Sequence, residues 1–155
     1  MGLMPRMLNN IPGLEFARFL GRGGGNGFSI RPNFGVYAFL GVWKNQDAYL
    51  EYRDNKNSVL QLCKDRAEKQ LHLKLANVSA HGQWAKQQPF ASKTKLTKTD
   101  PVAVITRATI HPHKVPGFWR HVPKVSQSFE NKKGCQLSVG IGEWPLFMQA
   151  TFSVW

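Results

Sequence analysis

GLEFARFLG (residues 13–21) and GCQLSVGIG (residues 134–142) each run from glycine to glycine over the same distance, offset by 121 positions at both ends (134 − 13 and 142 − 21). The stretches that follow also correspond. VYAFLGVW (36–43) matches MQATFSVW (148–155) in its alanine, its valine and its final tryptophan, now at an offset of 112. A glycine-rich insert accounts for the change: 14 residues separate Gly21 from Val36, whereas only the five of EWPLF separate Gly142 from Met148. Self-similarity of this kind means one supersecondary unit used twice.

Outward from these matches, NQDAYLEYR and then NSVLQLCKDRAEKQ read as helix, with Val59, Leu60, Leu62, Cys63 and Ala67 on one broad face. LHLKLANV (71–78) alternates apolar and polar residues and reads as a strand. The stretch that follows, to Pro101, is polar, lysine-rich and proline-bounded, which is linker composition. VAVITRATI (102–110) is a β-branched strand. After it, Phe118, Val122, Val125 and Phe129 recur at helical spacing, and Pro123 is expected to kink that helix or delay its start.

With the first twelve residues taken as the end of a helix, the order is α-β-β-α-β, linker, β-α-β-β. A ferredoxin-like module is β-α-β-β-α-β. The expectation is therefore an α+β chain, a duplicated ferredoxin-like arrangement of the dimeric α+β-barrel type, with antiparallel sheets and helices on one face. Its parts are a first half over 1–79 without an opening strand, a polar linker over 80–101, and a second half over 102–155 without a closing helix and strand. Such halves leave a sheet edge or face uncovered unless another segment supplies the absent pieces.

The insert lies in FLGRGGGNGFSI (19–30), and its five glycines raise the question of a phosphate cradle. A dinucleotide fingerprint counted from Gly21 finds Gly23 but then Asn26 where glycine is required, and no Gly-Lys-Ser/Thr follows. The loop opens into another strand rather than a helix. Consecutive glycines let a backbone take positive φ and approach a ligand closely, and asparagine tolerates the same region. Gly24, Gly25, Asn26 and Gly27, bracketed by Arg22 and Arg31, are thus the candidate cofactor-binding residues at the mouth of a ligand cavity, the arginines holding carboxylates. A long hairpin connection is the competing reading.

Twenty-one Lys and Arg against nine Asp and Glu give a net charge of +12. That balance favours polyanionic partners or an anionic membrane face, while a merely soluble basic surface is the plainer reading. NGFSIRPNF does not match the aromatic RNA-binding signature of ferredoxin-like sheets, so no nucleic-acid partner is assigned. Cys63 and Cys135 form neither a C-x-x-C pair nor a zinc pattern. The amino-terminal stretch has Pro5, Pro12 and too short an apolar core for a signal peptide. VYAFLGVW, the longest apolar run, falls far short of the ~20 residues of a membrane helix. A cytoplasmic protein, at most peripheral to a membrane, is expected.

FLGRGGGNGFSIRPNFGVYAFLGVW, HGQWAKQQPF, ITRATIHPHKVPGFWRHVPKVS and GIGEWPLFMQATFSVW together resemble the spheroidene monooxygenase family of acyclic carotenoid ketolases. The resemblance covers nearly the whole chain, with Thr106–Thr109 and Gly140–Glu143 its specific segments, and it leads to the expectation that the family pattern extends beyond both ends. It implies a monooxygenase that oxidises the end of a linear carotenoid, with haem as cofactor and a ferredoxin-type reductant. A homo-oligomer is a further expectation. A non-catalytic relative that binds an apolar ligand or dimerises through its sheets is the alternative, and a basic nucleic-acid-binding module ranks behind it.

Arg107 shares a strand face with Ala103, Ile105 and Thr109. A guanidinium there needs an anion, a carboxylate or water. It either clamps a haem propionate or substrate oxygen, or it pairs with Glu143; these two residues are the candidates for the catalytic centre. No iron ligand is assigned among His72, His81, His111, His113 and His121, and Pro112 between His111 and His113 indicates that the strand has ended. Trp84 either caps the cavity or pins the linker to the core, and Trp43, Trp119, Trp144 and Trp155 read as core.

Overall fold

The computed structural model describes residue 8 and residues 10–23, 32–90, 94–97, 99–130, 132–144 and 147–155. The chain is α+β. Strands β1 (Leu14–Gly23) and β2 (Pro32–Trp43) are followed by helices α1 (Gln46–Asp54) and α2 (Val59–Arg66). Then come β3 (Ala103–Thr109), a 3-10 turn over Pro112–Lys114, helix α3 (Val115–Glu130), β4 (Leu137–Trp144) and β5 (Met148–Val154). The strands form one five-stranded sheet in the order β2-β1-β4-β5-β3, and each registered pair in it is antiparallel.

The two matched sequence segments share backbone features. Gly13 and Gly134, which begin the two repeats, both take positive φ, at 73° and 96°. Gly13 in addition lies beneath Ala48 of α1, where a Cβ would collide with the alanine side chain. Gly21 and Gly142, which end the repeats, face each other across the β1–β4 pairing, next to Arg22 opposite Ile141. Equivalent residues that meet in an antiparallel ladder lie on a local two-fold axis, and the order β2-β1-β4-β5 reads the same from both ends.

Two compact units result: Met1–Arg18 with Leu40–Thr97, and Phe19–Phe39 with Lys98–Trp155. The first holds α1 and α2. Asn45 caps α1 by accepting from the Ala48 amide at 2.9 Å, and Ser58 caps α2 by accepting from the Gln61 amide at 3.1 Å. Val59 is buried, but Leu62 on the expected apolar face is exposed. Trp84 is buried with its ring edge-on to Phe16 at 5.7 Å, so the polar segment is pinned to this unit's core. Trp84 and Gln87 bridge around Ala85 and Lys86, both at positive φ.

Two expectations fail in this unit. The helix expected to run to Gln70 ends at Arg66, where Ala67 turns extended. LHLKLANV is not a strand: Leu71, Leu73 and Leu75 are exposed, and among the described residues no ladder bond reaches Leu71–Ala76. Alternation equips a segment to be a strand, but only a partner's N–H and C=O groups make it one.

In the second unit the core gathers Leu20, Ile110, Trp119, Val122, Ile141 and Ala150. The β3–β5 ladder is continued at its open end by Val102 and Trp155, which exchange amide bonds of 3.0 and 2.9 Å. Helix α3 starts at Val115 and continues through Pro123, so the proline does not delay it. Val122 of its expected apolar face is buried, and Phe118 meets Trp119 edge-on at 5.5 Å.

Candidate functional site

The register of the second unit assembles a site from three separated pieces of sequence. Arg107 of β3 pairs with Ala150 of β5, Ala150 with Ile141 of β4, and Ile141 with Arg22 of β1. Directly paired residues in antiparallel strands project from the same face. Arg22, Ile141, Ala150 and Arg107 thus form one row across four strands, its two arginines about 14 Å apart at the backbone by strand spacing. The floor between them is apolar and buried, Ile141 being 5% and Ala150 4% exposed.

Glu143 joins this face through a β-bulge. Gly142 is opposite Gln149 and Trp144 is opposite Met148, so Glu143 is the extra residue of β4. A bulge bends its strand and re-aims the side chain at that point. Arg107 donates to Glu143 Oε2 from Nε at 3.3 Å and from Nη2 at 3.2 Å, and Nη2 also lies 3.9 Å from Met148 Sδ. To reach β4 the guanidinium crosses β5, and the residue directly beside it there is the small Ala150. The two side chains are only 21% and 15% exposed, which makes loss of either partner costly to the other.

Of the two readings open for Arg107, the geometry shows the ion pair with Glu143. Arg22, assigned to the loop, instead belongs to the same sheet face as that pair. The repeat itself held this relationship: one residue beyond Gly21 and Gly142 stand Arg22 and Glu143, a cation and an anion at equivalent positions. Carrying the alignment one step further reveals it. Gly24, Gly25, Asn26, Gly27 and Arg31 lie outside the described residues.

The histidines form no such constellation. β3 has ended before His111, as Pro112 indicated, and the His111 and His113 rings stack 5.8 Å apart. His121 Nδ1 donates to the Gly117 carbonyl at 2.8 Å. With Ile110, Lys114 and Phe118, His111 and His121 line an open depression of about 430 Å³ at the end of β3. Among the described residues no three His, Cys, Asp or Glu side chains gather as metal ligands. Burial pushes the Cys63 thiol above its ordinary range. No helix among the described residues is long and apolar enough to cross a membrane.

Spheroidene monooxygenase of Rhodobacter capsulatus is 35% identical over 157 aligned positions, which take in 100% of this chain and 65% of that protein. Spheroidene monooxygenase of Rubrivivax gelatinosus is 33% identical over 93% of this chain and 56% of its own length. That of Cereibacter sphaeroides is 29% identical over 96% of this chain and 45% of its own. The chain therefore spans between about half and two thirds of the curated relatives it matches. No family model matches it. No solved structure matches it either. The chain is thus similar over nearly its whole length to part of the spheroidene monooxygenases.

Proposed function

We propose that this chain carries the oxidation site of a carotenoid monooxygenase, on the sheet face that bears Arg22, Arg107 and Glu143. The observation that supports the reading most is the match to the Rhodobacter capsulatus enzyme at 35% identity over the full 155 residues, which includes both segments that supply the ion pair. In this reading the apolar floor of Ile141 and Ala150 receives hydrocarbon, as a linear polyene requires. Arg107, oriented by Glu143, presents guanidinium N–H groups to an oxygen that gains negative charge.

Haem fits this face in part. Arg22 and Arg107 are suited to its two carboxylates, which pair with guanidinium in a bidentate fork. None of the registered residues of β1, β3, β4 and β5 on this face is His, Cys or Tyr, so we assign no residue to the iron. When bound, haem supplies the iron that activates dioxygen, and a ferredoxin-type donor supplies the electrons. The basic surface holds the protein against anionic lipid, where a carotenoid dissolves.

The experiment is turnover of spheroidene-type and lycopene-type carotenoids by the chain supplied with haemin and a reductant, with Arg107→Met run in parallel. Oxidised carotenoid from the unaltered chain and at least a tenfold lower rate from the variant are the results this proposal requires. A second reading, a non-catalytic apolar-ligand binder, draws on the fact that Glu143 already neutralises Arg107 without any ligand. Carotenoid that binds without turnover selects it.

A further inference from the structure

The depression where β3 runs into α3 has a volume, about 430 Å³, within the range of small-molecule sites. Buried Ile110, Phe118 and Gly117 supply its apolar part, and His111, Lys114 and His121 its basic part. No acidic residue lines it, and from Pro101 to Phe129 the sequence contains no Asp or Glu at all. The walls are held by hydrogen bonds. The Ile110 amide donates to the Phe147 carbonyl at 2.7 Å, and the Lys114 amide to the His111 carbonyl at 2.8 Å, so the chain turns sharply between these two basic residues. The His111 ring stacks on that of His113. His121 Nδ1 donates to the Gly117 carbonyl one helical turn earlier, which orients the ring and leaves Nε2 as its available nitrogen. At Gly117 nothing stands within 4 Å of where a Cβ would be, so the space beside it is open.

We propose that this depression binds a small amphiphilic anion, a short hydrocarbon chain that ends in a carboxylate or a phosphate. Ile110 and Phe118 take the hydrocarbon, and its removal from water drives the contact. Lys114, His111 and His121 surround the head. The lysine supplies a fixed charge and three N–H donors, and His121 Nε2 donates to the same oxygens when the ring is protonated. A neutral ligand would cover the basic rim without giving it a partner, which costs free energy. A cation is repelled by Lys114, and no three metal-ligating side chains gather among the described residues. Because backbone bonds and a helix set the walls, little ordering is needed when the ligand enters. Arg22, Arg107 and Glu143 are not among the lining residues, so the inference is independent of the reaction proposed above.

The test is an NMR titration of the full chain with octanoate and with octyl phosphate. Octanol, which lacks the charge, and acetate and inorganic phosphate, which lack the chain, are titrated alongside. At least one amphiphilic anion is expected to bind saturably, with shifts centred on residues 108–121, and the tighter of the two identifies the head. It should bind at least about fivefold more tightly than octanol. It should exceed its chainless counterpart by at least about tenfold. Lys114→Gln is expected to weaken the anion by about three- to fivefold and to leave octanol unchanged. Gly117→Leu fills the open space and is expected to weaken all three octyl probes by about tenfold or more. If Gly117→Leu does not fold, as judged by circular dichroism, Lys114→Gln decides, since that side chain is exposed. Octanol or a chainless anion that binds as tightly as the amphiphilic anions overturns the proposal. So do shifts centred on Arg107 and Glu143 instead, unchanged affinity in Lys114→Gln, or no saturable shift with either anion.

Discussion

Gly21 stands opposite Gly142 in the ladder between β1 and β4, and the two residues occupy equivalent places in the repeat. The two matched segments meet at this pair. It brings Arg22 beside Ile141, and the β4–β5 and β5–β3 ladders carry the same face on to Arg107.

Removing one member of the ion pair strands the other in a largely water-excluded position. Arg107→Met and Glu143→Gln are each expected to lower unfolding free energy by about 2–4 kcal/mol in urea titrations. The double variant should lose less than the sum, by about 1 kcal/mol or more, because neither charge is then left alone. Additive losses would show that the 3.2 Å contact carries no coupling in solution.

Gly142 and Gly117 should respond to alanine with opposite signs. A Cβ at Gly142 would lie 2.8 Å from the Met148 carbonyl oxygen, which is backbone and cannot swing aside. Gly142→Ala is expected to cost about 1–3 kcal/mol by overpacking beside the bulge. At Gly117, in the first turn of α3, nothing lies within 4 Å of the added carbon. There the gain in helix propensity should stabilise by up to about 1 kcal/mol, seen as a higher Tm.

Ala85 and Lys86 hold φ of 51° and 64° in a two-residue turn between Trp84 and Gln87. Positive φ at both central positions is the geometry that Asn-Gly adopts without strain. Ala85→Asn with Lys86→Gly is therefore expected to raise stability by about 1 kcal/mol in denaturant unfolding. Trp84→Ala works the other way. It empties the site against Phe16 and should cost about 3–5 kcal/mol.

Burial raises the Cys63 thiol above its ordinary range, and the charge of Arg66 acts in the other direction. Only the thiolate is nucleophilic, so a raised pKa lowers the reactive fraction at any given pH. Iodoacetamide should label Cys63 more slowly in the folded chain at pH 8 than in urea. The folded rate should climb toward the unfolded one as pH rises above the ordinary thiol range. Equal rates at pH 8, followed by peptide mass spectrometry, would remove burial as the controlling factor.

The sequence by itself determined the α+β class, the places of strands β1, β2, β4 and β5, the β3–α3 succession and the interruption before Pro112. These are legible because glycine positions, alternation and helical spacing act over a few neighbours along the chain. It also singled out Arg107 and Glu143, while leaving open whether they meet. Tertiary structure alone decided that they do: ladder register places Ala150 beneath the guanidinium, and the bulge re-aims the carboxylate. It decided too that Arg22 shares their face and that Leu71–Ala76 make no ladder bonds among the described residues. Register and strand pairing are agreements between distant segments, and no local pattern can state which partner a strand will find.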